Sequence, residues 1–168
     1  LDYAELPMLP TFLATMLSFV FLLIGLFVAV ALIHQRRFSS LITPEPTIRW
    51  RRLGQGFGIW FLLIALISGV EAVLFPGRYQ LDFQPGNFFL FAILGLVFIP
   101  IQTSAEELLF RGYLIQTLGR KIRNPWVLVL ISGLLFGVLH LGNPEVSANF
   151  WLMAAYYIVF GMALAWIT

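Results

Sequence analysis

Phe12 to Ile33 is an unbroken run of about 22 apolar or small residues without a charge, long enough to cross a bilayer core of about 30 Å. A chain carrying such a run has few folds open to it. In lipid every backbone N–H and C=O must be bonded internally, which leaves helices and closed barrels. Further apolar runs follow at Gly56–Phe75, Phe88–Ile101, Trp126–Leu141 and Ala148–Ile167. The fold class expected is an all-α polytopic membrane protein of about five transmembrane helices, forming one domain over residues 1–168. Hydrophobic residues make up 60% of the chain and charged ones 11%, against about a quarter charged in soluble domains. Cysteine is absent, which excludes disulfides and thiolate metal sites.

The bases gather in two short loops. Arg36, Arg37, Arg49, Arg51 and Arg52 lie in 34–52, where Pro44 and Pro46 oppose a helix, and Arg120, Lys121 and Arg123 lie in 119–124. This pattern suits membrane orientation and lipid headgroups rather than nucleic acid. Both loops are expected on the cytoplasmic side, and the N-terminus, with Asp2 and Glu5, on the other. Glu71, near the outer end of the second span, faces either headgroups or a shared cavity; Arg78 and Asp82 occupy the outer loop. The last run stops at Thr168 without a polar tail, which reads as a larger bundle cut at its C-terminus.

Between Phe88 and Leu118 the only charges are Glu106, Glu107 and Arg111. Charges at membrane depth are costly and mark functional sites by default. The third run is short, and Pro100 disfavours a continuous helix, so a break is expected just before the glutamates, with a second helix from Thr103 or Ser104 to about Gly119. Thr103-x-x-Glu106 and Ser104-x-x-Glu107 would then also read as capping boxes. Glu107 and Arg111, four apart, can pair on one helix face. Glu106 is turned about 100° away and left free to handle a proton.

His140 closes the fourth span. Glu106 and His140 are each 17 residues from Arg123 in the basic turn, so two antiparallel helices leaving that turn carry both to one depth, about 20–25 Å away. Gly133 and Gly137 form a G-x-x-x-G surface on the side of the imidazole, open to close helix packing or to a site. Carboxylate plus imidazole is material for activating a water or binding a metal.

Glu106-Glu107-x-x-x-Arg111 followed by Phe136-x-x-x-His140 resembles the CAAX protease and bacteriocin-processing family, also called the Abi family. The resemblance covers about Asn87 to the end. It implies an intramembrane protease in which Glu106 activates a water, His140 holds that water or a metal such as zinc, Glu107 and Arg111 form a supporting pair, and Phe136 packs nearby. The family's third motif, H-x-x-x-N/D, has no match here: His140 and Asn143 are three apart, and His34 sits in the basic loop. The partners implied are the bilayer and a peptide or membrane-protein substrate. The alternative is a catalytically inactive subunit, assembly factor or immunity-type protein of the same fold within a larger membrane complex. A transporter is a third reading, resting on the expected break at depth.

Overall fold

The computed structural model describes residues 8–43, 45, 47–78 and 83–167. Asp2, Glu5, Pro44, Pro46 and Asp82 lie outside these. The described residues form helices joined by short turns: α1 (Met8–Phe27), α2 (Trp50–Leu74), α3 (Pro85–Glu107), α4 (Ile115–Leu118), α5 (Pro125–His140) and α6 (Phe150–Trp166). A π-turn, Val28–Ile33, extends α1, and a second, Leu108–Leu114, joins α3 to α4. Among the described residues, Met8–Ile33, Trp50–Leu74 and Pro85–Leu118 are long and apolar enough to cross a membrane. α5 and α6 are apolar too but shorter. The protein is an integral membrane protein of helices.

α1 and α3 run parallel. Phe12, early in α1, meets the ring of Phe91 edge-on at 5.9 Å and that of Phe98 at 6.4 Å. At the far end Leu26, Val30 and Leu41 form a buried cluster against Phe38, Leu108, Leu109 and Tyr113. The two π-turns therefore pack together. The chain leaves the first through Gln35, whose φ of 51° is the left-handed turn reversing its direction. Arg36 then donates to Gln116 at 2.9 Å, and Gln116 to the Ser40 carbonyl at 3.0 Å. His34 bonds Tyr113 at 3.0 Å. These contacts put the two basic loops at one end of the molecule, as the charge pattern requires.

α5 starts as its sequence dictates. Asn124 accepts from the Trp126 amide at 3.0 Å, and Pro125 fills the first turn, where no donor is needed. α5 and α6 then pair along their glycines. A Cβ on Gly133 would lie 2.8 Å from the Ile158 carbonyl oxygen, and one on Gly161 would lie 2.9 Å from Phe136 Cβ. In lipid, where apolar burial drives little association, such close approach is the main source of helix pairing. The G-x-x-x-G surface thus serves α6. Trp126 and Trp166 stack at 4.5 Å and close one end of the hairpin.

Two expectations are corrected. The third span is not broken before the glutamates: helix runs from Pro85 to Leu118, through Pro100. Proline removes the donor for the Leu96 carbonyl, a loss membrane helices tolerate when nearby groups compensate. Just beyond it Thr103 Oγ1 bonds the carbonyls of Ile99 at 3.0 Å and Pro100 at 3.3 Å. Thr103 and Ser104 are therefore interior residues and cap nothing. The irregularity falls after the glutamates, in the π-turn. Glu71 pairs with Arg78 of the turn after α2 at 3.0 Å.

Candidate active site

The site is built where the π-turn meets α5. A π-turn inserts a residue into the helical ladder and widens it, a feature often found at functional sites. Phe110, Arg111 and Gly112 are its buried residues. Gly112 is required by close approach: a Cβ there would come within 2.8 Å of the Leu41 carbonyl oxygen.

Arg111 is only 4% exposed. Its Nη1 stands 3.0 Å from Glu107 Oε1, the ion pair expected from the spacing. Nη1 makes no directional hydrogen bond and Nε has no acceptor, so the contact is ionic. Nη2 donates to the Gly161 carbonyl of α6 at 3.3 Å. The guanidinium lies over the ring of Phe136 at 4.9 Å and near that of Phe110 at 5.6 Å. A cation so desolvated gains from the ring quadrupoles as well as from the carboxylate.

Phe110 and Phe136 meet edge to face at 5.4 Å. They are also equally far, 13 residues each, from Arg123. This is the register the sequence symmetry requires; Glu106 and His140 follow four residues further from Arg123 on their two helices. Glu106 has Gln102 as its neighbour, donating at 3.3 Å. His140 Nδ1 lies 2.8 Å from the Phe136 carbonyl oxygen. A carbonyl only accepts, so Nδ1 carries the proton and the lone pair of the neutral ring is on Nε2. The imidazole stacks on Phe136 at 4.1 Å and packs on Tyr157 at 4.7 Å.

The structure therefore links Glu107, Arg111, Phe136 and His140 by successive contacts, while Glu106, next to Glu107 in the chain, is bonded by Gln102. Among the described residues no hydrogen bond links Glu106 to His140. Sequence reasoning missed Tyr157, Asn143 and Glu145, which meet at the α5–α6 corner. Asn143 Nδ2 donates to the Tyr157 hydroxyl at 3.1 Å and to Glu145 Oε1 at 3.2 Å, and the hydroxyl donates to Glu145. Polar residues after the last apolar position of α5 were the available signal. The Tyr157 bond holds the Glu145 carboxyl below its ordinary value.

A catalytic zinc takes three protein ligands. Glu106 and His140 supply two, and among the described residues no group of three or more His, Cys, Asp or Glu forms a set that could hold a metal. These residues alone do not fit a metal centre.

The profile of the Rce1-like family, described as type II CAAX prenyl endopeptidase, matches residues 85–168, half of the chain, and takes in α3 to α6 with all four candidate residues. The chain belongs to the Rce1-like family. It is also 39% identical over 151 residues to the uncharacterized protein YyaK of Bacillus subtilis (strain 168). That match covers 89% of this chain and 50% of the relative, so the chain spans about half the length of the curated relative it matches. No solved structure matches it.

Proposed function

We propose that this protein is an intramembrane endopeptidase that hydrolyses a peptide bond in or beside the membrane. The observation that carries the reading is the division of labour between adjacent glutamates. Glu107 is taken by Arg111, while Glu106 stays outside the ion pair, and the equal spacing of Glu106 and His140 from Arg123 supports a common level with an imidazole whose Nε2 lone pair is not used by the helix. A water between them has two acceptors for its two protons. Its lone pair is then directed at a substrate carbonyl. Glu106 takes one proton as the oxygen attacks and returns it to the leaving amine, the work of a general base and then acid. Arg111 holds Glu107 in place. A divalent metal such as zinc would need a third donor from outside the described residues. The basic loops face the cytoplasm, and the N-terminus the other side.

The family's name makes a prenylated CAAX peptide the first probe, beside membrane-anchored peptides. In lipid nanodiscs the full-length protein cleaves at least one, and Glu106→Gln lowers the rate by about 100-fold or more with the fold intact. Full cleavage by Glu106→Gln would overturn the role of Glu106. The second reading, an inactive subunit or assembly factor in a larger complex, has one observation in its favour: His140 is engaged by Phe136 and Tyr157, and not bonded to Glu106. A folded wild type that cuts none of the probes would select it.

A further inference from the structure

The corner between α5 and α6 holds a polar group that the mechanism above does not use. Tyr157 comes from α6, Asn143 from the residues after α5, and Glu145 from the 3₁₀ turn Pro144–Ala148. The Tyr157 hydroxyl donates to Glu145 and accepts from Asn143 at 3.1 Å, while Asn143 also donates to Glu145 at 3.2 Å. Three polar groups thus satisfy one another around one phenol oxygen. The ring below that oxygen packs on His140 at 4.7 Å with a 32° tilt. Phe136 packs on the same imidazole at 4.1 Å with a 28° tilt. The imidazole touches α5 through Phe136 and α6 through Tyr157.

We propose that Tyr157, fixed by Glu145 and Asn143, is a positioning residue that sets the plane and the tautomer of the His140 ring. The inference rests on the reading of His140 as the water's partner. An imidazole free to turn about its side-chain bonds would exchange its Nδ1 bond to the Phe136 carbonyl for other partners and move the Nε2 lone pair off the water. Stacking on Phe136 alone opposes tilting but not sliding, because Phe136 is one turn away on the same helix. Tyr157 acts from a second helix, and its own hydroxyl is tied at the corner. Groups that orient a ligand or base from behind cost about 10–100-fold in activity when removed. Glu145 suits the anchoring part: its carboxyl is held below its ordinary value and remains an anionic acceptor near neutral pH.

The test reads the ring directly. Full-length protein labelled with ¹⁵N-histidine, with the His140 signal assigned by its loss in His140→Gln, is studied in micelles at about pH 8.5, two units above an ordinary histidine. The wild type is expected to show His140 as a single Nδ1–H tautomer. Tyr157→Leu gives a mixture of tautomers, with Tyr157→Phe and Glu145→Gln in between. On a cleaved probe Tyr157→Leu lowers kcat by about 10-fold with KM unchanged. If Tyr157→Leu fails to fold, Tyr157→Phe and Glu145→Gln carry the same comparison. An unchanged single tautomer in folded variants overturns the proposal, as does a mixed tautomer in the wild type. The spectra do not depend on cleavage, so an intact clamp in a protein that cuts no probe counts against the peptidase reading alone.

Discussion

Arg111 is the residue on which the local chemistry turns, because it is buried, cationic and short of acceptors. Its carboxylate partner is not equally hidden: the Glu107 side chain is 46% exposed. Breaking a buried pair costs about 3–5 kcal/mol when the remaining charge is stranded, and exposure of one partner reduces that. Glu107→Ala is therefore expected to destabilise the protein by about 1–3 kcal/mol, measured as a lower unfolding midpoint in micelles. Arg111→Met in the Glu107→Ala background should restore part of this loss, since the stranded charge is gone while the side-chain volume remains. Failure of the double variant to recover stability would show that the arginine is held by Phe136 and Gly161 rather than by Glu107. This much was legible in the spacing of Glu107 and Arg111. The nearness of Phe136 followed from the family resemblance, whereas the bond to the Gly161 carbonyl was not legible, because no local pattern connects Arg111 with α6.

At the scale of elements, the α5–α6 hairpin and the π-turn carry the site between them. Gly161 has two duties: its bare Cα admits Phe136, and its carbonyl accepts from Arg111. Gly161→Val places methyl groups where Phe136 already stands. Overpacking of this kind costs about 1–3 kcal/mol, and here it also pulls the acceptor from Arg111. The expected result is a lower midpoint together with a weakened Phe136–His140 stack, read as a changed His140 ring resonance. The corner adds a pH dependence. Glu145 has a folded-state value below its ordinary 4.5, so its contribution to the corner is present above that value and lost as acid protonates it in the fold. Protection of the 143–149 amides, taken relative to their intrinsic exchange rates, should fall as pH drops below about 4.5, and Glu145→Gln should flatten this dependence. Helix positions were readable from apolar runs, but the interruption in the third span was not. Pro100 is a strong local signal for a break, yet the helix runs through it, with Thr103 bonding the carbonyls of Ile99 and Pro100. The π-turn carries no such signal, and the approach of Leu41 to Gly112 within it is a contact between segments distant in the chain.

On the scale of the molecule, orientation is the property that decides which reagents and substrates reach the site. The parallel course of α1 and α3 puts both their starts at one end, and the bonds of Arg36 and Gln116 place both basic loops at the other. α2, which returns the chain between them, buries none of its residues, so its surface is left to lipid or to further protein. Charge bias alone gave the same grouping, because bases resist translocation whatever the helices pack against. Cysteine is absent from the chain, so single cysteines report position without background. Cysteines placed at Arg37 and at Lys121 should react with a membrane-impermeant maleimide only from the cytoplasmic side, and one at Arg78 only from the opposite side. Reaction of Arg37→Cys and Lys121→Cys from different sides would break the pairing of the basic loops, and with it the common depth assigned to Glu106 and His140. Reaction of both from the non-cytoplasmic side would keep the fold and invert the proposed orientation.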